Sequence, residues 1–400
     1  MTATRRRSEL RRYEALEREL REIETRGLLR RPRLIEGPIG TRVLIEGREV
    51  LLLCSNDYLG LANHPAVKRA AKAAVENYGA GAGASRLVSG TLSIHEHLEE
   101  ALARFKGTEA ALVFGSGYLA NIGAVSSLLQ EGDIIYSDEL NHASIIDACR
   151  LSRATVKVYP HKNADALEGM LARSIACGKR LIVTDGVFSM DGDIAPLPEL
   201  VRLASEFDCY LMVDDAHATG LLGPEGKGTA SHFGLHGLID IQMGTLSKAL
   251  GSYGAFVAGS RELIDFLVNR ARCFIYTTAL PPACVGAALE SLCICEREPQ
   301  RRERLWRNAG FLKKELTSAG FEMGASETYI IPIIIGGAAE CVMMAEALLD
   351  EGVFAQAIRP PSVPEGASRL RIVPTSEHSA DDLEFAVQAF TRAGKKCRII

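Results

Sequence analysis

Cys209-Tyr210-Leu211-Met212-Val213-Asp214-Asp215-Ala216-His217 decides the fold. Its apolar run lacks the alternation of a half-exposed strand. It reads as a strand covered on both faces, the habit of a parallel sheet flanked by helices. The two acids and the histidine then fall at the strand's carboxyl end, the edge at which open α/β sheets place ligands. Outward from it, Ala110–Phe114, Asp133–Ser137, Thr155–Tyr159, Leu181–Thr184, Ile239–Gly244 and Ala255–Ala258 are further strand candidates, with helical patterns such as Leu92–Phe105 and Leu197–Glu206 between most of them. Such alternation predicts an α/β fold with a large, mostly parallel sheet.

Before the sheet, Val43–Ile45 and Val50–Leu53 read as a hairpin with Glu46-Gly47 near its turn. Residues 261–320 read as mainly helical, with Pro281-Pro282 as a breaker. Beyond them come a strand at Ile330–Ile335, a helix at Cys341–Glu351, one strand over Val353–Ile358, another at Arg369–Val373 and a helix at Ala380–Ala393. The expected organisation is an N-terminal helix and hairpin over 1–50, a large α/β domain over 51–285 and a smaller C-terminal α+β domain over 286–400.

The 400 residues are 47% hydrophobic with a net charge of -4, an ordinary globular composition that gives no reason to expect nucleic acid as a partner. Eleven Arg fall in residues 1–33, interleaved with six Glu. Leu10, Tyr13, Leu16, Leu20 and Ile23 recur there at helical spacing, so the segment reads as a surface helix with one apolar stripe. Its acids fit a transit peptide badly. No apolar run approaches the ~20 residues that cross a bilayer, so no membrane partner and a cytoplasmic location are expected. The ten Cys form no C-x-x-C pair. Neither zinc nor a disulfide framework follows, and they read as small core hydrophobes.

Thr245-Leu246-Ser247-Lys248-Ala249-Leu250-Gly251 follows a second apolar strand. A carboxylate at Asp214 and an amine at Lys248, each at a strand's end, can face one crevice. Pyridoxal 5'-phosphate (PLP) needs both: a Lys amine to hold it as a Schiff base and an acid to keep its pyridine nitrogen protonated. Phe114-Gly115-Ser116-Gly117-Tyr118 runs from a strand into a helix, where Ser116, Gly117 and Tyr118 could offer backbone N–H groups to a phosphate. The hydroxyls of Thr245 and Ser247 could add to that cradle. His142, in Asn141-His142-Ala143-Ser144, could lie on an aromatic ring or be a satisfied structural histidine. Ser189, in Gly186–Gly192, reads as a cofactor contact or a turn-former. Gly79–Gly83 follows a helix rather than a strand, and Gly223–Gly228 lacks the spacing of a phosphate loop. His95-Glu96-His97 lacks zinc spacing and reads as a helix surface.

Together with Ser55-Asn56-Asp57-Tyr58-Leu59-Gly60 and Asp185–Gly192, these segments resemble the α-oxoamine synthases over nearly the whole chain. The resemblance implies the aminotransferase-like fold of PLP enzymes of fold-type I, and a homodimer with shared active sites. It implies the joining of an amino acid to an acyl thioester with loss of CO2. Ile275–Pro282 and Ala357–Pro364 are most similar to members that use L-alanine and a pimeloyl thioester of coenzyme A or a carrier protein. Asp185–Gly192 is equally similar to sister enzymes that use glycine and a short acyl-CoA. The resemblance gives Lys248, Asp214, His217 and His142 the catalytic positions, Lys248 carrying PLP, Asp214 its ring nitrogen, His217 its ring hydroxyl and His142 stacking. It adds Ser189 near the ring oxygen and Gly117, Tyr118 and Thr245 at the phosphate, with Thr277 or Thr278 reaching in from a partner subunit. Asn56 and Arg371 are implied as the substrate carboxylate clamp, and Arg30 and Ser362 lie near the acyl substrate. A non-catalytic PLP-binding protein and an aminotransferase are the rival readings; the first needs no carboxylate clamp, and the second releases no CO2.

Overall fold

The computed structural model describes residues 3–174 and 178–400, with side chains from Tyr13 onward. Leu10's side chain and Cys177 lie outside the described residues. Seven strands form the main sheet in the order Ala110–Phe114, Ala255–Gly259, Ile241–Thr245, Tyr210–Asp214, Arg180–Asp185, Ile134–Asp138, Thr155–Tyr159. Six run parallel, and Ala255–Gly259 alone runs antiparallel to both its neighbours. The reversal has a physical reason: the loop from Thr245 to Ala255 is too short for the dozen or more residues of a parallel crossover.

Both sheet faces are covered, which is why Leu211, Met212 and Val213 are all apolar and buried. On one face Leu112, Met243 and Val257 pack against Ala120, Ala124 and Val125 of the helix Gly117–Leu128 and Ile145 of Ala143–Ser152. On the other, Ile182, Leu211 and Val213 meet Leu197, Leu200 and Leu203 of the helix Leu197–Glu206. Pro281 caps the helix Pro282–Arg297, so the Pro pair starts a helix as expected of a breaker.

Arg42–Ile45 and Arg48–Leu52 form the N-terminal hairpin, Ile45 facing Arg48 across Glu46-Gly47. Both turn residues have positive φ, 52 and 73 degrees, the twist that a two-residue hairpin turn requires. The expected single strand over Val353–Ile358 is instead two strands in two sheets. Val353–Phe354 runs parallel to Arg48–Leu52, whereas Gln356–Ile358 pairs antiparallel with Ser368–Ile372. The chain changes sheets at the buried Ala355, and an unbroken apolar run carries no mark of that change. Ile331–Gly336 completes the second sheet, and the helices Ala338–Asp350 and Ala380–Lys396 accompany it.

Two smaller expectations also need correction. His95 is not on a helix surface: it lies on the inner stripe of Ser93–Lys106 with Leu98 and Leu102, and its Nε2 is 2.9 Å from the Leu280 carbonyl. Cys149, Cys209, Cys295 and Cys341 are buried as core residues, but Cys293 is exposed. The N-terminal helix Ala3–Thr25 leaves Tyr13, Leu16, Leu20 and Ile23 exposed along one side. Among the described residues no helix is long and apolar enough to cross a membrane.

Candidate active site

Three neighbouring parallel strands, Ile134–Asp138, Arg180–Asp185 and Tyr210–Asp214, each end in a buried aspartate at the same sheet edge. Asp185 and Asp214 stand directly opposite in the strand register. Buried carboxylates so close cannot all stay charged without partners. Asp214 accepts a hydrogen bond from Asn121 Nδ2 at 2.8 Å and another from the Ala216 backbone N–H at 2.9 Å. Burial, and then the charge of Asp214, push the Asp185 carboxyl well above the usual range; it also accepts from the His142 N–H at 2.6 Å. Asp138 is met by His161, at 2.9 Å.

Lys248 lies just beyond the end of Ile241–Thr245, and its Nζ is 2.9 Å from His217 Nε2. Burial lowers its amine to about 8, with Asp214 opposing the shift and Arg371 adding to it. The amine and the acid therefore share one crevice. His217 is buried and held well below its ordinary value by burial and the cations Lys248 and Arg371, so its imidazole is neutral. Its Nδ1 is 2.6 Å from the Tyr58 hydroxyl. Arg371 Nη2 donates to that hydroxyl at 3.1 Å, and Nη1 donates to Asn56 Oδ1 at 3.1 Å. Arg371 Nε donates to the Ser189 carbonyl. Asn56 and Arg371, expected as a clamp, are thus one hydrogen-bonded unit, joined through Tyr58 to His217 and Lys248.

His142 begins the helix Ala143–Ser152; its Nδ1 contacts Ser144 Oγ at 2.7 Å, and Asn121 Nδ2 reaches both Ser144 Oγ and Asp214. Burial lowers its imidazole too, followed by opposing effects of Asp214 and Lys248. Ser116 caps the helix Gly117–Leu128, accepting from the Leu119 N–H at 3.3 Å. A Cβ on Gly117 would meet Thr245 Cγ2 at 2.9 Å, so only glycine brings the helix N-terminus this close to that strand end. Ser247 is exposed beside Lys248. Tyr118 is also exposed, and its hydroxyl donates to Asp147.

Not every expected residue joins this cluster within one chain. Thr277 is half-buried and Thr278 exposed, the latter bridged to Ser85. Arg30 donates to the Pro360 carbonyl at 3.2 Å, and Ser362 stands exposed nearby. Both line a cavity of about 960 Å³ between the segment after the N-terminal helix and the strand Gln356–Ile358. Sequence reasoning gave no role to Asn121, Tyr58, Tyr329 or Lys106. Tyr329 donates its hydroxyl to the His217 carbonyl. Lys106 donates to Asp215 at 2.8 Å, a fully buried pair directly beneath the Asp214–His217 turn. Tyr58 sits inside the quoted Ser55–Gly60 motif, but the other three lie in unremarkable helical or loop sequence.

The residues fit PLP on the chain's own chemistry. A buried carboxylate, a partly buried amine and two histidines held below their ordinary value converge, and a glycine keeps the helix N-terminus beside Thr245 open to a phosphate. Asn121 Oδ1 is buried with no partner, an acceptor facing this cluster. The family model for aminotransferase class I and II matches residues 48–390. An 8-amino-7-oxononanoate synthase of Geobacter sulfurreducens is 53% identical over 384 residues, covering 96% of this chain and 98% of its own. A serine palmitoyltransferase of S. paucimobilis, solved with PLP and myriocin bound, superposes with a TM-score of 0.92 at 34% identity, covering 98% and 99% of the two chains. An 8-amino-7-oxononanoate synthase of Francisella tularensis gives a TM-score of 0.75 at 29% identity over 88% of this chain and 99% of its own. The chain belongs to the aminotransferase class I and II family, and within it to the α-oxoamine synthases, PLP-dependent acyltransferases of fold-type I.

Proposed function

We propose that this enzyme condenses L-alanine with a pimeloyl thioester, giving 8-amino-7-oxononanoate and CO2, a step of biotin synthesis. The identity near 50% with several 8-amino-7-oxononanoate synthases over nearly the full chain carries this reading. PLP, when bound, accepts the electron pair released at the amino acid's Cα. Lys248 would anchor the cofactor, Asp214 would accept a hydrogen bond from its protonated ring nitrogen, His217 and Ser189 would approach its ring hydroxyl, and His142 would lie on its ring. Gly117, Tyr118, Thr245, Ser116 and Ser247 would surround the phosphate, with Thr277 or Thr278 supplied by a partner subunit.

Arg371 has five N–H groups, and three are spent on Ser189, Asn56 and Tyr58. One remains on each Nη, the pair that binds a carboxylate through two parallel bonds. That fixes the amino acid's carboxylate and turns its Cα hydrogen toward Lys248. Lys248, lowered to about 8, is neutral often enough near pH 8 to take that proton, and returns it after CO2 leaves. Arg30 and Ser362, at the mouth of the cavity of about 960 Å³, face the acyl chain. The exposed apolar residues Leu87, Val88, Tyr253 and Tyr276 support a homodimer. We divide the chain into residues 1–50, 51–285 and 286–400, and place the enzyme in the cytoplasm. The deciding assay offers PLP-loaded enzyme alanine or glycine against pimeloyl-CoA, pimeloyl-carrier protein or acetyl-CoA. The alanine and pimeloyl pairing should turn over fastest, and preference for glycine with acetyl-CoA would replace this reading with its sister reaction.

A further inference from the structure

Of the three strand-end aspartates, only Asp214 has a part in the chemistry above, and Asp138 is one of the two left unused. It is also the best anchored. Asp138 Oδ1 accepts from the Leu140 N–H at 2.9 Å and Oδ2 from the Lys162 N–H at 2.9 Å. His161 Nδ1 lies 2.9 Å from Oδ1, and the same ring's Nε2 lies 2.8 Å from Asp193 Oδ2. The ring stands edge-on to Phe188, with centroids 4.4 Å apart. One imidazole thus joins two loops. The first leaves Asp138 and runs through Asn141 to His142. The second runs from Phe188 to Asp193 and contains Ser189, whose carbonyl holds Arg371.

That second loop has many ties to the C-terminal part of the chain. The Glu327 N–H and the Thr328 hydroxyl donate to the Gly192 carbonyl at 3.0 and 2.8 Å. Arg369 donates to the Met190 carbonyl at 3.3 Å and also to Asp191. Lys162 donates to Glu327 at 2.9 Å and lies 3.2 Å from Asp193. On the sheet side, His161 and Lys162 tie the loop to the strand ends, and of the two His161 alone bonds both Asp138 and Asp193 through its side chain.

We infer that His161 is a positioning residue for the amino acid: its two ring nitrogens brace the loop that aims Arg371 against the strand end that leads to His142. This rests on the reading of Arg371 as the carboxylate clamp. Two carboxylate partners require both ring nitrogens to carry protons. Burial pulls the imidazole down, but Asp138 and Asp193 outweigh it and hold it at about 9; on Asp193 burial pushes up, but His161 and Lys162 outweigh it and lower the carboxyl. The charged groups around the ring are Asp138, Glu139, Asp193, Lys162 and, through Lys162, Glu327. The imidazole is raised, so the brace is intact below pH 9 and weakens as pH climbs past it.

The test uses PLP-loaded His161→Phe, which keeps a ring against Phe188 but removes both hydrogen bonds, with His161→Gln keeping one donor. His161→Phe should raise the KM for whichever amino acid the enzyme turns over about tenfold, a partly lost charged hydrogen bond. His161→Gln should fall between it and the wild type, and the thioester KM should stay put in both. Protection of the Phe188 and Gly192 amides from hydrogen exchange, taken relative to their intrinsic rates at each pH, should fall in His161→Phe, and in the wild type above pH 9. A merely structural role would lower melting temperature and kcat while leaving the amino-acid KM unchanged, and that result overturns the inference. Should His161→Phe fail to fold, Asp193→Asn removes one charge without changing shape, carries the same KM prediction, and overturns the inference if KM does not move. The exchange readout needs no substrate, so a wrong substrate assignment leaves it standing, whereas wild-type exchange in a folded variant defeats the brace itself.

Discussion

The crevice has two walls built in different ways. The strand-end wall, Asp185, Asp214, His217 and Lys248, comes from neighbouring strands and the turns that follow them. The wall of the proposed clamp, Arg371 with Asn56, Tyr58 and Ser189, joins residues 315, 313 and 182 positions apart in the chain. The first is fixed by strand register, so its residues are set in place by the sheet itself. The second exists only when the C-terminal part docks on the sheet, so its precision depends on packing far from the chemistry. Damage to the first wall should therefore abolish reaction, and damage to the second should weaken substrate binding first.

The largest effect should come from Lys248→Ala. Losing the proposed anchor and base should cut turnover by more than ~10³-fold and remove the lysine-linked visible chromophore, followed by absorbance and steady-state rates. A coloured, active variant would break the distinction between the walls. Lys106→Met strikes beneath the same wall. It leaves Asp215 buried and unpaired and should cost about 3–5 kcal/mol in denaturant unfolding, a loss beyond that of an exposed pair. Arg371→Lys tests the other wall: a lysine cannot present two parallel N–H groups, and the amino-acid KM should rise roughly 10–100-fold with a smaller change in kcat. Tyr58→Phe removes a hydroxyl that touches both walls, His217 at 2.6 Å and Arg371 at 3.1 Å. It should cost roughly 3–10-fold in kcat/KM, and its cycle with Arg371→Lys should be non-additive. Strict additivity would mean that the walls act independently.

The pH dependence sharpens the same contrast. Lys248 is lowered to about 8, so the fraction of neutral amine rises tenfold per pH unit below 8 and levels off above it. Exchange of the alanine Cα hydrogen with solvent deuterium, followed by NMR, should track that rise. A rate independent of pH between 6 and 8 would exclude Lys248 as the base.

The strand-end wall was legible because a continuous apolar run names a buried strand and its first polar residues name the carboxyl edge. Asp214, His217 and Lys248 could be placed that way, and the strands Ala110–Phe114 and Thr155–Tyr159 fell where the pattern put them. The antiparallel turn of Ala255–Gly259 and the sheet change at Ala355 were not legible. Both are decided by which backbone the chain meets rather than by its own side chains. Asn121, Lys106 and Tyr329 were missed for a related reason. A buried polar residue inside an apolar helix or loop announces nothing until its distant partner is known, and here those partners are Asp214, Asp215 and the His217 carbonyl. Arg371 and Asn56 were reached only through resemblance, since nothing local distinguishes an inward arginine on a strand from a salt-bridged one.

The account rests most directly on what leaves the amino acid. PLP-loaded enzyme given L-alanine labelled at its carboxyl carbon, together with pimeloyl-CoA, should release one labelled CO2 per turnover and yield an unlabelled product with the mass of 8-amino-7-oxononanoate. Transfer of the amino group with the label retained, or no reaction with alanine beside rapid turnover of glycine, would contradict it.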